Sequence, residues 1–170
     1  MKKLLMLCLT VFLLLSCKQK KTCDVAPLKV IEKQGVTIPV YDFKTLQPLL
    51  VNNECDDLHV INFWATWCKP CVAELPYFEQ LHKEKGVKVT LISLDLPSLV
   101  DSKLIPFIKE RKLASDVVLL DDPDANAWIS LVDKDWSGAI PATLILKNKK
   151  QKFYEQSFTY KSLEEAIKNL

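Results

Sequence analysis

The run His59-Val60-Ile61-Asn62-Phe63-Trp64 leads through Ala65 and Thr66 into Trp67-Cys68-Lys69-Pro70-Cys71. Its first six residues are rich in β-formers and almost continuously apolar, as a strand buried on both faces should be. From about Lys69 to Lys85, Ala73, Leu75, Phe78 and Leu81 approximate a helical stripe, with Pro76 predicting a kink. The CxxC therefore stands directly after a buried strand and opens a helix. There, unsatisfied backbone N–H groups and the positive helix end favour a thiolate at Cys68. Pro70 suits the first helical turn, where no N–H need be donated. Cys71 lies one turn further in, close enough to close a small ring and less exposed than Cys68. One sulfur is placed to attack and the other to resolve.

Other uses of CxxC fit less well. A c-type haem site needs His immediately after the second Cys, where this chain has Val72. A structural zinc site needs two more ligands, yet there is no second CxxC, and His59 and His82 are isolated. No metal and no cofactor is expected. An inert structural disulfide stays open on spacing alone.

Outward from this junction, Val87 to Leu94 reads as a second buried strand, reached by a short return at Gly86. The β-helix-β order implies a crossover between parallel strands. Val36 to Phe43 looks like a short strand and Lys44 to Val51 like a helical turn or two despite Pro48. Helical spacing resumes from about Leu99 to Arg111. Val117 to Leu120 reads as a strand and Ala125 to Val132 as a short helix. Thr143 to Lys147 and Lys152 to Phe158 form a hairpin across Asn148-Lys149-Lys150-Gln151. Ser162 caps a last helix, with Glu165 in the capping-box position and Leu163, Ile167 and Leu170 facing inward. The expected class is α/β: a mixed sheet, parallel in the middle and antiparallel at the end, flanked by helices.

The 170 residues suffice for one domain, and 49% hydrophobic with 26% charged residues is a globular composition. Lys2 and Lys3 precede twelve uncharged, mainly apolar residues, Leu4 to Leu15. Twelve residues reach only about 18 Å along a helix, short of the ~30 Å hydrocarbon core. The segment reads as an export signal over residues 1–16 rather than a span. Its end, Leu14-Leu15-Ser16-Cys17, resembles the lipobox of bacterial lipoproteins, which implies lipid on Cys17. Removing residues 1–16 takes away Lys2 and Lys3, leaving as many basic as acidic side chains. A nucleic-acid binder is therefore not indicated, and membrane attachment would rest on lipid. Residues 17–35 read as lipidated N-terminus and tether, and 36–170 as the folded domain. In an oxidising compartment the remaining pair Cys23 and Cys55 is expected to form a disulfide.

The segment Asn62-Phe63-Trp64-Ala65-Thr66-Trp67-Cys68-Lys69-Pro70-Cys71 resembles the active site of thioredoxin-like proteins, especially the exported TlpA/ResA group of thiol–disulfide oxidoreductases. The resemblance extends to Pro76 and to Ile140-Pro141, which falls where the family places a cis-proline facing the dithiol. It covers roughly residues 36–170 and is weaker in a helical insert near 97–112. It implies a thioredoxin-like fold and a redox-active Cys68–Cys71 pair. Ile140 and Pro141 would pair with an extended client, and Trp67 would meet partner protein at the rim. Cytoplasmic thioredoxins carry a buried Asp where this chain has Asn62. The exported group instead often has a Glu three residues after the second Cys, matched by Glu74. By the same resemblance the chain is expected to be an extracytoplasmic, periplasmic, lipid-anchored oxidoreductase that reduces client disulfides. A membrane electron-relay protein would recharge it. A disulfide-donating oxidase and a non-catalytic thioredoxin-fold binding lipoprotein are the alternatives.

Overall fold

The computed structural model describes residues 25–51 and 58–170. The strands are β1 (Lys29–Lys33), β2 (Val36–Tyr41), β3 (His59–Trp64), β4 (Lys88–Ser93), β5 (Asp116–Leu120), β6 (Ala142–Lys147) and β7 (Lys150–Tyr154). The helices are α1 (Phe43–Val51), α2 (Lys69–Lys85), α3 (Ile105–Arg111), α4 (Ala125–Val132) and α5 (Tyr160–Lys168). All seven strands join one sheet in the order β1-β2-β5-β4-β3-β6-β7. Strands β2, β5, β4 and β3 run parallel, while β1 and the β6–β7 pair are antiparallel to their neighbours. This is the mixed, thioredoxin-like sheet expected from the sequence.

Strand β3 is buried at every position, which explains its unbroken apolar run. Its alternation divides the core. Val60 and Trp64 pack with Leu75 and Phe78 of α2 and Leu163 of α5, whereas Ile61 and Phe63 pack with Leu46 of α1 and Trp128 of α4. Asn62 lies between Val60 and Trp64 in the alternation, so it points toward α2. Helix α2 stops at Gly86, whose φ of +63° lets its N–H close on His82 O at 3.1 Å.

Four local expectations differ from the structure. Residues 29–33, expected in the tether, form β1, so the sheet begins before residue 36. Most of β1 is solvent-exposed, as on a charged edge strand, and the alternation that marks a half-buried strand is missing. The second hairpin turns on Asn148 and Lys149 alone, both at positive φ, which is the tight two-residue geometry. Thr159 rather than Ser162 caps α5: Thr159 Oγ1 accepts the Ser162 N–H at 3.2 Å, and Ser162 Oγ accepts the Thr159 N–H at 2.9 Å. The Ser162 hydroxyl thus fills the role expected of the Glu165 carboxylate. Finally, the insert is composite, with a 3₁₀ turn at Pro97–Leu99 and a π turn at Val100–Leu104 before α3. Pro106 has no N–H to continue the α pattern, and Ile105 N–H reaches back to Val100 O instead.

Residues 1–24 and 52–57, with Cys17, Cys23 and Cys55, lie outside the described residues. Among the described residues no helix is long and apolar enough to cross a membrane, and no cluster of His, Cys, Asp and Glu is arranged to hold a metal ion.

Candidate active site

The turn from β3 into α2 is closed by Cys68 N–H donating to Ala65 O at 3.1 Å. Cys68 is the N-cap of α2, with φ −84° and ψ 98°, and its Sγ accepts the Cys71 N–H at 3.3 Å. The sulfur therefore occupies the place of a capping oxygen, against an N–H group that the helix leaves unsatisfied. Cys68 and Cys71 are joined as a disulfide with their Cα atoms 5.3 Å apart. Cys71 is fully buried and Cys68 only 5% exposed, so the sulfur expected to attack is less open than its place at the helix start suggests. The backbone carbonyl of Ile140 lies 3.7 Å from Cys68 Sγ and covers it. Trp67 beside it is 62% exposed, at the rim.

The Ile140–Pro141 peptide bond is cis, and Ile140 is half-buried. The loop before it is held on three sides. Trp136 Nε1 donates to Ala139 O at 2.8 Å, and the Trp136 ring packs on Phe63 and Phe153 with centroids 4.9 and 5.3 Å away. The Glu155 carboxylate accepts from Ser137 N at 3.1 Å, Ala139 N at 3.2 Å and the Ser137 hydroxyl. The Ser137 hydroxyl bond above all holds this carboxyl below its ordinary pKa. Gly138 sits at φ +90°, a backbone conformation that strains any residue with a side chain, and a Cβ there would also push on Ile129 Cδ1 at 2.8 Å.

Behind the dithiol, Glu74 is 1% exposed. Its Oε1 accepts from Asn62 Nδ2 at 2.9 Å and its Oε2 from Phe158 N at 2.6 Å. Burial pushes its pKa up to about 7, against the opposing pull of the Phe158 and Asn62 bonds. Asn62 Nδ2 also reaches Thr143 Oγ1 at 3.0 Å, so β3, α2, β6 and the segment before α5 meet at one carboxyl group. Glu74 is thus not a solvated helix carboxylate. It lies one turn beyond Cys71 on the same helix.

Two carboxylates at the site carry no motif in the sequence. Asp95, just past β4, is 1% exposed and grips Thr66, two residues before Cys68. Glu155 grips the cis-proline loop from beyond β7. The alternation Ser93-Leu94-Asp95, with polar residues two apart at the end of a buried strand, is a local signal for Asp95. Glu155 has none, because its partners lie 16 and 18 residues away.

Several known proteins are similar. The AhpC/TSA family model matches residues 29–151. The thiol-disulfide oxidoreductase ResA of Oceanobacillus iheyensis is 51% identical over 91 residues, covering 52% of this chain and 43% of that protein. The chain thus spans less than half the length of that curated relative. The thioredoxin-like protein YneN of Bacillus subtilis is 27% identical over 140 residues, 79% of each chain. Among solved structures, a secreted thiol-disulfide isomerase from Corynebacterium glutamicum superposes with TM-score 0.57 at 18% identity, covering 82% of this chain and 78% of that one. That likeness speaks to the fold alone. With the family match extending from β1 into β7 and the dithiol turn inside it, the chain belongs to the AhpC/TSA family of thioredoxin-like proteins.

Proposed function

We propose that this chain is an extracytoplasmic thiol–disulfide oxidoreductase that reduces client disulfides through Cys68 and Cys71. The observation that carries the reading is the Cys68–Cys71 disulfide capping α2 beside the Ile140 carbonyl. The reduced Cys68 thiolate attacks a client disulfide, forming a Cys68–client bond and releasing one client thiolate. Glu74, with a pKa near 7, accepts the Cys71 proton. The Cys71 thiolate attacks the Cys68 sulfur, the second client thiolate leaves, and Cys68–Cys71 is oxidised. Two electrons have passed to the client, and an outside dithiol must return them. A membrane electron-relay protein is the proposed source. Ile140 and Pro141 offer an extended client backbone an edge to pair with, and Trp67 gives it an apolar rim.

The reducing direction is supported by the charges around the sulfurs. Asp95 is a buried acid with no cation paired to it among the described residues, and a negative neighbour disfavours thiolates relative to the disulfide. A redox titration of Cys68–Cys71 tests this. A potential near that of thioredoxin, about −270 mV, is expected, and one near that of DsbA, about −120 mV, would make the chain a disulfide donor. Insulin that dithiothreitol reduces no faster with this protein than without it would instead favour a binding lipoprotein.

We also propose the lipid anchor on Cys17, from the Leu14-Leu15-Ser16-Cys17 run. A Cys17→Ser protein should lose its lipid and leave the membrane fraction, checked by fractionation and mass spectrometry. Unchanged membrane attachment would remove the lipoprotein reading.

A further inference from the structure

The buried acid beside the dithiol that the proposed chemistry does not use is Asp95. Its Oδ2 accepts the Thr66 N–H at 3.0 Å and the Ser93 hydroxyl at 2.8 Å, and its Oδ1 accepts the Thr66 hydroxyl. Its own N–H donates to Ser93 Oγ at 3.1 Å. Both oxygens act only as acceptors, which is the bonding of a carboxylate. Thr66 lies inside the turn that Cys68 N–H closes on Ala65 O. The β3–β4 ladder pairs Trp64 with Ser93, and Leu94 N–H bonds Trp64 O at 2.8 Å, so the Thr66–Asp95 bonds continue the pairing past the end of the strands. They lock the loop that aims Cys68 at the Ile140 carbonyl.

We propose that Asp95 is a positioning residue for Cys68, and that its charge biases the dithiol toward the reducing side. The charge argument rests on the oxidoreductase reading and deepens its direction. Other charged groups around Cys68 are Lys69 and Glu74 on α2, and Lys103 and Glu110 of the insert, which line a groove of about 410 Å³ with Thr66 and Trp67. Near Asp95 itself, Asp121 and Asp122 line a second groove, with Asp121 paired to Lys29 at 3.7 Å. Neither groove brings a cation into an ion pair with Asp95 among the described residues. Only Trp67 separates Thr66 from Cys68, placing the carboxylate within roughly 10 Å of the sulfur, where an effective dielectric near 20 still leaves about a tenfold bias.

Two variants separate position from charge. Asp95→Asn keeps the shape, and the Thr66 and Ser93 hydroxyls can turn to accept from the new amide. In reduced Asp95→Asn protein the pH midpoint of Cys68 alkylation should fall. The equilibrium constant for oxidation of the dithiol by oxidised glutathione, which yields the protein disulfide and two glutathione thiols, should fall at least threefold. Asp95→Ala also removes the grip on Thr66, and its Cys68 alkylation at a pH where the thiol is ionised should differ from that of Asp95→Asn, with a folded circular-dichroism spectrum as control. An Asp95→Asn protein with an unchanged alkylation midpoint and glutathione equilibrium overturns the charge role. Indistinguishable Ala and Asn variants overturn the positioning role, and an Ala variant that does not fold leaves the Asn measurements to decide the proposal. A wild-type potential in the donor range would instead sink the reductant reading while leaving the Asp95→Asn difference measurable.

Discussion

Reduced protein carrying Cys71→Ser should accumulate clients as covalent adducts on Cys68, and Cys68→Ser should reduce no insulin. The asymmetry follows from the helix start. Cys68 caps α2 and receives the Cys71 N–H, so a thiolate there gains a donor and the positive helix end. Cys71 sits inside the first turn, fully buried, with Glu74 one turn further on. On the proposed mechanism a client disulfide therefore meets Cys68 first, and Cys71 acts only on the mixed disulfide already in place. Removing Cys71 leaves attack intact and deletes release, so adducts persist. Removing Cys68 deletes both. Alkylation of the reduced wild-type protein should mark Cys68 first, with a midpoint below the ordinary thiol value of about 8.5. Adducts trapped through Cys71 in the Cys68→Ser protein would reverse the two roles. Peptide mapping of non-reducing gel bands distinguishes the cases.

How far the site was legible depends on whether its signal is local. Strand β3, the CxxC and α2 occupy one continuous stretch, so apolar pattern, capping position and Pro70 are all read within a dozen or so residues. Glu74 is three residues from Cys71, and the resemblance singled it out, but nothing local announced its burial. That burial arises because Phe158, 84 residues away, returns its N–H to the carboxylate. Glu155 was missed for the same reason, and for Asp95 the local Ser93-Leu94-Asp95 pattern marks a buried polar residue without showing that it grips Thr66, 29 residues away. Strand β1 was missed for the opposite reason. It is an edge, so burial imposes little pattern on it, and its pairing with β2 is set by the tight Gln34-Gly35 turn, both residues at positive φ.

Glu74 should make the folded protein less stable as the pH rises, which is the reverse of the usual carboxylate behaviour. Its pKa is raised from 4.5 to about 7 by burial. The folded state therefore holds this proton more tightly than the unfolded chain does. The contribution is complete below pH 4.5 and is lost as pH rises through 7, a change on the order of 3 kcal/mol. Glu74→Gln is neutral throughout, so urea denaturation of the oxidised proteins at pH 5 and pH 8 should show the variant gaining about that much on wild type between the two. Parallel stability curves would mean that Glu74 titrates near its ordinary value.

The geometry also says why the amide should be accommodated. Phe158 N–H is a fixed donor to Oε2, so the proton of neutral Glu74 belongs on Oε1, facing Asn62. Among the described residues Asn62 Oδ1 is buried without a partner, and turning the Asn62 amide brings that oxygen round to accept the proton. The same turn lets Oδ1 accept from the amide of Glu74→Gln, whose own oxygen keeps the Phe158 bond. Asn62 thus serves both protonation states, as a fixed acceptor could not. In catalysis the variant should do the opposite of what it does for stability. With no base beside Cys71, resolution of the Cys68–client adduct at pH 8 should slow by about 100-fold, within the range a positioned base contributes. Attack by Cys68, measured as alkylation, should change far less. Equal adduct lifetimes in wild type and variant would take Glu74 out of the proton transfer, whatever its effect on folding.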